Sequence, residues 1–174
     1  MSRIFLLRHA QSVANDKGFL AGRMDGVTLS KKGLKQREQL NQRLAGAKFD
    51  QVISSPIQRC LETIADFHSN PEIVEEFQEV HYGDWTGKKF TSLNRNRAWR
   101  EIHSHPASVR FPSGETLPEV QTRALAGLDK HIAKKSKNEK SAYVMAMRSL
   151  KKLQELTLIR HTIDDKYVVM GDVL

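Results

Sequence analysis

Arg8 and His9 follow directly on an apolar run, in "RIFLLRHAQS". An arginine and a histidine are costly to bury and common where chemistry is done. Alone the pair is a weak signal, since an ion-paired surface arginine beside a partly buried histidine satisfies it equally. Arg59 strengthens it, because it lies one turn into the segment after "VISSP" and can point back toward His9. Two guanidinium groups converging on one imidazole make an anion site, the planar fork matching phosphate oxygens. The competing assignment for Arg59 is an ion pair with Glu62 at i, i+3. Glu79, in "EVHYGDWTG", adds a carboxyl at a strand end, where it can donate or accept a proton. Its competing assignment is a solvated acid among Glu72, Glu75 and Glu76.

These residues need a frame to bring them together. "RIFLLRH" is apolar and too short for a helix, so it reads as a buried strand. A polar stretch with glycines follows from Gln11 to Thr28. "LSKKGLKQREQLNQRLAG" reads as an amphipathic helix capped by Ser30, with leucines at 34, 40 and 44 facing inward and Gly46 at its end. "FDQVISS" is a second strand, and "PIQRCLETIADFHS" a second helix with Pro56 in its first turn. "EIVEEFQEVHYGDWTG" holds a third extended segment and a glycine-punctuated turn. "LPEVQTRALAGLDKHIAKK" is a long helix, "SAYVMAM" a buried strand, "RSLKKLQELTLIRH" a helix and "KYVVMGDVL" a closing strand.

Strands alternating with helices predict an α/β fold: a three-layer sandwich with a mainly parallel central sheet flanked by helices. The chain reads as a single domain over 1–174, with an insertion at about 88–116 over one end of the sheet. In such sheets ligands bind beyond the carboxyl ends of the strands. That rule selects Arg8-His9, Ser54-Ser55 with Arg59 beyond, and Met147-Arg148.

Composition narrows the function classes. With 39% hydrophobic and 28% charged residues, the 174-residue chain has an ordinary globular balance. No apolar run reaches bilayer length, and "MSRIFLLRHA" lacks the layout of a signal peptide. One cysteine, Cys60, excludes an intrachain disulfide and a cysteine zinc cluster, and the expected location is cytoplasmic. The net charge of +8 is concentrated in "KHIAKKSKNEK" and "RSLKKLQ". No aromatic interleaving accompanies these lysines, so a solvated face is expected rather than a nucleic-acid or membrane partner. "HSH" at 103–105 reads as an exposed loop, "RNRAWREIHSHP" as a segment that either adds cationic contacts to a charged substrate or, the favoured reading, is solvated, and no metal-ligand set is evident.

Five segments together resemble the histidine phosphatase superfamily, the phosphoglycerate-mutase-like proteins: "LLRHAQSVAN", "LAGRMDGVTLSKKG", "ISSPIQRCLET", "EVHYGDWTG" and "FPSGET". They occur in the family's order over the first three-quarters of the chain. "GRMDGVTLS" and "HPASVRFPSGET" are most similar to a phosphomutase branch found in actinobacteria. The resemblance implies a phosphohistidine mechanism, in which His9 attacks phosphorus and Glu79 protonates the leaving oxygen. It assigns phosphate binding to Arg8, Arg59 and Asn15, and it implies no cofactor and no metal. The substrate is expected to be a small phosphorylated metabolite. Ala10 stands where the family usually has glycine, a small change expected to be tolerated.

One departure bears on turnover. The family carries a second histidine after its late strand, where this chain has Met147 or Arg148, the register being open by one. Arg148 can supply positive charge in its place; Met147 cannot. His161 lies over a dozen residues further along the expected helix, roughly 20 Å away, and is a poor substitute. From about Ser141 the resemblance ends, through divergence or a shifted reading frame. Losing one charged stabiliser costs about 10²–10³ in rate. The two functions left open are a phosphatase or phosphomutase and a phospho-ligand-binding pseudoenzyme.

Overall fold

The computed structural model describes residues 3–132, 140–145 and 167–169. Its centre is a five-stranded sheet: β1 (Arg3–Arg8), β2 (Gln51–Ser54), β3 (Glu72–Ile73), β4 (Lys140–Met145) and β5 (Tyr167–Val169), in the order β3-β2-β4-β1-β5. Every pairing is parallel. Parallel strands are covered on both faces, which is why "IFLL" and "VIS" are nearly continuous apolar runs. Successive side chains still part to opposite faces. Leu6 and Ile53 join a cluster with Val74, Phe77 and Trp85, while Leu7 and Val52 join Leu40, Leu44, Cys60 and Ile64.

The helices of the first half are α1 (Val13–Lys17), α2 (Lys31–Arg43) and α3 (Gln58–Ile64). Helix α1 breaks up the stretch expected to be a polar loop. Ser12 caps it, its Oγ accepting from Asn15 N while its own N–H donates to the Asn15 side chain. Ser30 caps α2 as expected, accepting from Gly33 N at 3.0 Å. The inward stripe of α2 is corrected at one position: Leu40 and Leu44 are buried, but Leu34 is 45% exposed. The buried face passes through Gly33 instead, where a Cβ would lie 2.0 Å from the Gln11 carbonyl oxygen. Helix α3 starts after Ile57, so Pro56 precedes the cap rather than sitting in the first turn.

The region after β3 contributes two 3₁₀ turns (Glu75–Phe77 and Gly83–Trp85), then α4 (Phe90–Leu93), α5 (Arg97–Ser104) and α6 (Leu117–Ile132). Helix α5 corrects one loop reading, since residues 103 and 104 of "HSH" are helical. Most of "RNRAWREIHSHP" is solvated as expected, Trp99 being its buried residue. Asn96 caps α5, and Trp99 is buried between Trp85 and Phe90. Leu93, Trp99 and Phe111 join the same apolar cluster as Leu6 of β1. No helix among the described residues is long and apolar enough to cross a membrane. Met147, Arg148, His161 and the helix expected from Arg148 lie outside the described residues.

Candidate active site

Strand β1 ends at Arg8, and His9 follows at its carboxyl edge, 8% exposed. The imidazole tautomer is set by its two neighbours. A carbonyl only accepts, so Nδ1 carries the proton it donates to the Ala10 oxygen at 2.7 Å. The Nε of Arg59 donates to His9 Nε2 at 3.1 Å, so Nε2 presents a lone pair. Burial, reinforced by the positive charge of Arg59, lowers the His9 pKa to about 3. His9 is thus a neutral imidazole with its nucleophilic nitrogen turned toward a guanidinium.

Ala10 is buried, and its N–H donates to Thr63 Oγ1 at 3.0 Å. Thr63 Oγ1 in turn donates to the Arg59 carbonyl at 2.6 Å. One hydroxyl therefore ties helix α3 to the loop after β1 and fixes Arg59 over His9. The alanine takes the glycine position without a left-handed backbone, Ser113 being the one non-glycine residue with positive φ among those described.

Arg59 is 2% exposed. Its Nη2 donates to the Gly22 carbonyl at 3.1 Å and lies 3.7 Å from Glu79 Oε2. The expected alternative, a pair with Glu62, does not form. Glu62 accepts instead from Leu29 N at 2.7 Å and from Gln58 Nε2 at 2.8 Å. The Nη1 of Arg59 is buried and has no hydrogen-bond partner among the described residues. A buried cationic donor in that state can accept the oxygen of an incoming anion.

Glu79 is 6% exposed, which removes the solvated-acid alternative. Burial raises its pKa above the ordinary carboxyl range, opposed first by the Arg59 charge and then by the Val80 N–H, which donates to Oε1 at 3.0 Å. Asn15 lines the same cleft as Arg8, His9, Arg59 and Glu79. Its Oδ1 is committed to Ser12 at 2.8 Å, leaving the amide nitrogen as the end able to donate. Phe19, Tyr82 and Phe90 complete the cleft with apolar surface. The structure thus gathers Arg8, His9, Asn15, Arg59 and Glu79 about one cleft; Arg148 lies outside the described residues. Among the described residues no group of His, Cys, Asp or Glu is arranged to hold a metal ion.

Sequence reasoning missed three residues beneath Glu79. Arg23 and Arg123 both donate to the Glu79 carbonyl, at 2.8 and 3.1 Å. Glu115 accepts from both arginines, at 2.9 Å from each. Arg23 and Glu115 fall within "LAGRMDGVTLSKKG" and "FPSGET", so their segments were marked though their roles were not. Nothing local marks Arg123, one cation on a long helix.

A model of the histidine phosphatase superfamily (branch 1) matches residues 4–160. Two relatives from Hydrogenobacter thermophilus, one of them named phosphoserine phosphatase 1, are each 31% identical, over 137 and 138 residues. Those matches cover 74% of this chain and 66% and 64% of the relatives, less than two thirds of their length. A 2,3-bisphosphoglycerate-dependent phosphoglycerate mutase of Rhizobium etli is 27% identical over 182 residues, covering 94% of this chain and 85% of its own. Among solved structures, a mycobacterial glucosyl-3-phosphoglycerate phosphatase complexed with VO3 superposes with a TM-score of 0.75 at 19% identity, over 89% of this chain and 80% of that one. The alpha-ribazole phosphatase of Shigella flexneri gives 0.73 at 21%, over 90% and 79%. At such identities the structural likeness shows the fold, and the family match over most of the length carries the rest: the chain belongs to the histidine phosphatase superfamily.

Proposed function

We propose that the protein is a phosphatase that hydrolyses a small phosphorylated metabolite through a phosphohistidine at His9. The observation that carries this reading is the buried arrangement of a neutral imidazole, its Nε2 lone pair facing Arg59, with a guanidinium nitrogen that has no partner among the described residues beside it and a carboxyl of raised pKa across the cleft.

The chemistry follows from these groups. A phosphate entering the cleft takes up the Arg59 donors, which frees the His9 lone pair that Arg59 Nε otherwise engages. Arg8 and the Asn15 amide are placed to share the phosphate charge. Phosphoryl transfer depends mainly on such positioning and charge stabilisation. His9 Nε2 attacks phosphorus, the bond from phosphorus to the leaving oxygen breaks, and protonated Glu79 supplies that oxygen with a proton. The carboxylate so formed then takes a proton from water. The water oxygen displaces Nε2, releasing inorganic phosphate and restoring both residues. Hydrolysis is favoured over mutase action because no long insertion dedicated to retaining a bisphosphate intermediate is evident.

The test is hydrolysis of p-nitrophenyl phosphate by the full chain, beside His9→Ala and Arg59→Met. Turnover that disappears in His9→Ala and falls about 10²–10³-fold in Arg59→Met supports the enzyme. Vanadate or phosphate binding without turnover above that of His9→Ala would replace it with a phospho-ligand binder.

A further inference from the structure

Glu79 carries the proton in the proposed reaction, yet among the described residues its carboxyl is held by one hydrogen bond accepted from the adjacent Val80 N–H and a 3.7 Å contact to Arg59. Its backbone is held far more heavily. Arg123, on α6, donates through Nη1 to the carbonyls of Glu76 and Gln78, at 2.6 and 2.9 Å, and through Nη2 to that of Glu79. Arg23 reaches the same Glu79 carbonyl from the opposite side in sequence. Glu115 bridges the two guanidinium groups and also accepts from His81 N at 2.8 Å. Three carbonyl acceptors within four residues, that of Glu79 used twice, exceed what a surface loop needs.

The turn that carries Glu115 is pressed onto the same stretch. Glu115 N donates to the His81 carbonyl at 2.9 Å and Asp84 N to that of Pro112 at 2.9 Å. A Cβ on Gly83 would fall 1.9 Å from the Pro112 oxygen, and one on Gly114 would fall 2.2 Å from the His81 oxygen. The two glycines let the segments "YGDWTG" and "FPSGET" meet backbone to backbone, and Glu115 is delivered by that contact.

We infer that Arg123, Glu115 and Arg23 are positioning residues, a clamp that sets the Glu79 carboxyl at the leaving oxygen. The inference rests on Glu79 acting as the acid. A loosened clamp leaves His9 and the phosphate-binding arginines in place, so phosphate transfer that needs no proton survives. Transfer that needs one does not. Good leaving groups depart as anions; alkoxides require protonation. A misplacement of about 1 Å at such a group costs on the order of 10²-fold.

The experiment compares kcat/KM, which reports transfer to His9, on p-nitrophenyl phosphate and on 2-phosphoglycerol. The full chain is compared with Glu79→Gln, Arg123→Met, Arg123→Lys and Glu115→Gln, with thermal unfolding as the check on folding. Arg123→Met and Glu115→Gln are expected to lose about 10²-fold on the alkyl ester and only a few-fold on the aryl ester, reproducing the split of Glu79→Gln. Arg123→Lys, which keeps the charge, recovers part of the loss. Equal losses on both esters, or none, in folded Glu115→Gln while Glu79→Gln shows the split would overturn the clamp alone. No split in Glu79→Gln, or no turnover by the native chain, would overturn the acid role and the clamp with it.

Discussion

His9 and Glu79 have their pKa values pushed in opposite directions, one down and one up, and burial is the first cause of both. The two shifts have opposite consequences for rate. In the proposed reaction His9 attacks as the neutral base, and with a pKa near 3 it stays neutral as the pH falls well below 7. In that reaction Glu79 acts as the protonated acid, so transfer to His9 slows as pH rises through its raised pKa. In the free protein, ¹⁵N NMR should therefore find the His9 imidazole as the Nδ1–H tautomer, unchanged between about pH 5 and 7.5. A titration midpoint near the ordinary value of about 6.5 would refute this. On an alkyl phosphomonoester the alkaline fall of kcat/KM should vanish in Glu79→Gln, leaving a low, pH-independent value. An alkaline fall that survives the substitution belongs to another group.

At the scale of elements, the strand-to-helix connections do the positioning. Helix α2 is set against the loop after β1 through Gly33, and the Gln11 carbonyl beside it accepts from Ser30 N at 2.9 Å. A helical glycine replaced by alanine ordinarily stabilises by about 0.4–1 kcal/mol. Here the sign reverses, because the added Cβ would lie 2.0 Å from a backbone oxygen that cannot move without losing the α2 cap. Gly33→Ala should lower the unfolding free energy by about 1–3 kcal/mol, read as a lower urea midpoint at unchanged slope. A raised midpoint would mean that α2 and the Gln11 loop are not packed as described. Ser30 shows the complementary case, a cap read from the sequence because a cap needs only residues three apart.

Over the whole molecule, the sheet order places β4 between β1 and β2. Arg59 must therefore cross from the end of β2 to reach His9 at the end of β1, and the buried guanidinium spans that distance. The parallel pairing puts both strand ends on one side, where a ligand site is expected. The net charge of +8 acts at longer range. A phosphate dianion should be drawn in electrostatically, so kcat/KM on a phosphomonoester should fall as salt rises past about 0.1 M, where the screening length is about 10 Å. Stopped-flow or steady-state rates across a salt series check this, with kcat staying level. A flat kcat/KM would show that the basic surface does not face the cleft.

The sequence by itself determined what is local. Apolar runs, caps and turn glycines identified β1, β2, α2 and α6 to within a few residues, because burial pattern and capping act within one element. The ordered segments also pointed to His9, Arg59 and Glu79. Whether those residues meet was not local. Arg59 had two partners within reach, Glu62 three residues away and His9 fifty away, and only packing chose the second. Leu34 and Gly33 exchanged faces because the Gln11 loop required close approach. Arg123 carried no signal, since the carbonyls it holds, those of Glu76, Gln78 and Glu79, are more than forty residues distant. The tautomer of His9 and the displaced pKa values likewise belong to the folded state. They arise from exclusion of water and from charges brought near through space, and neither exists until the chain has closed around the cleft.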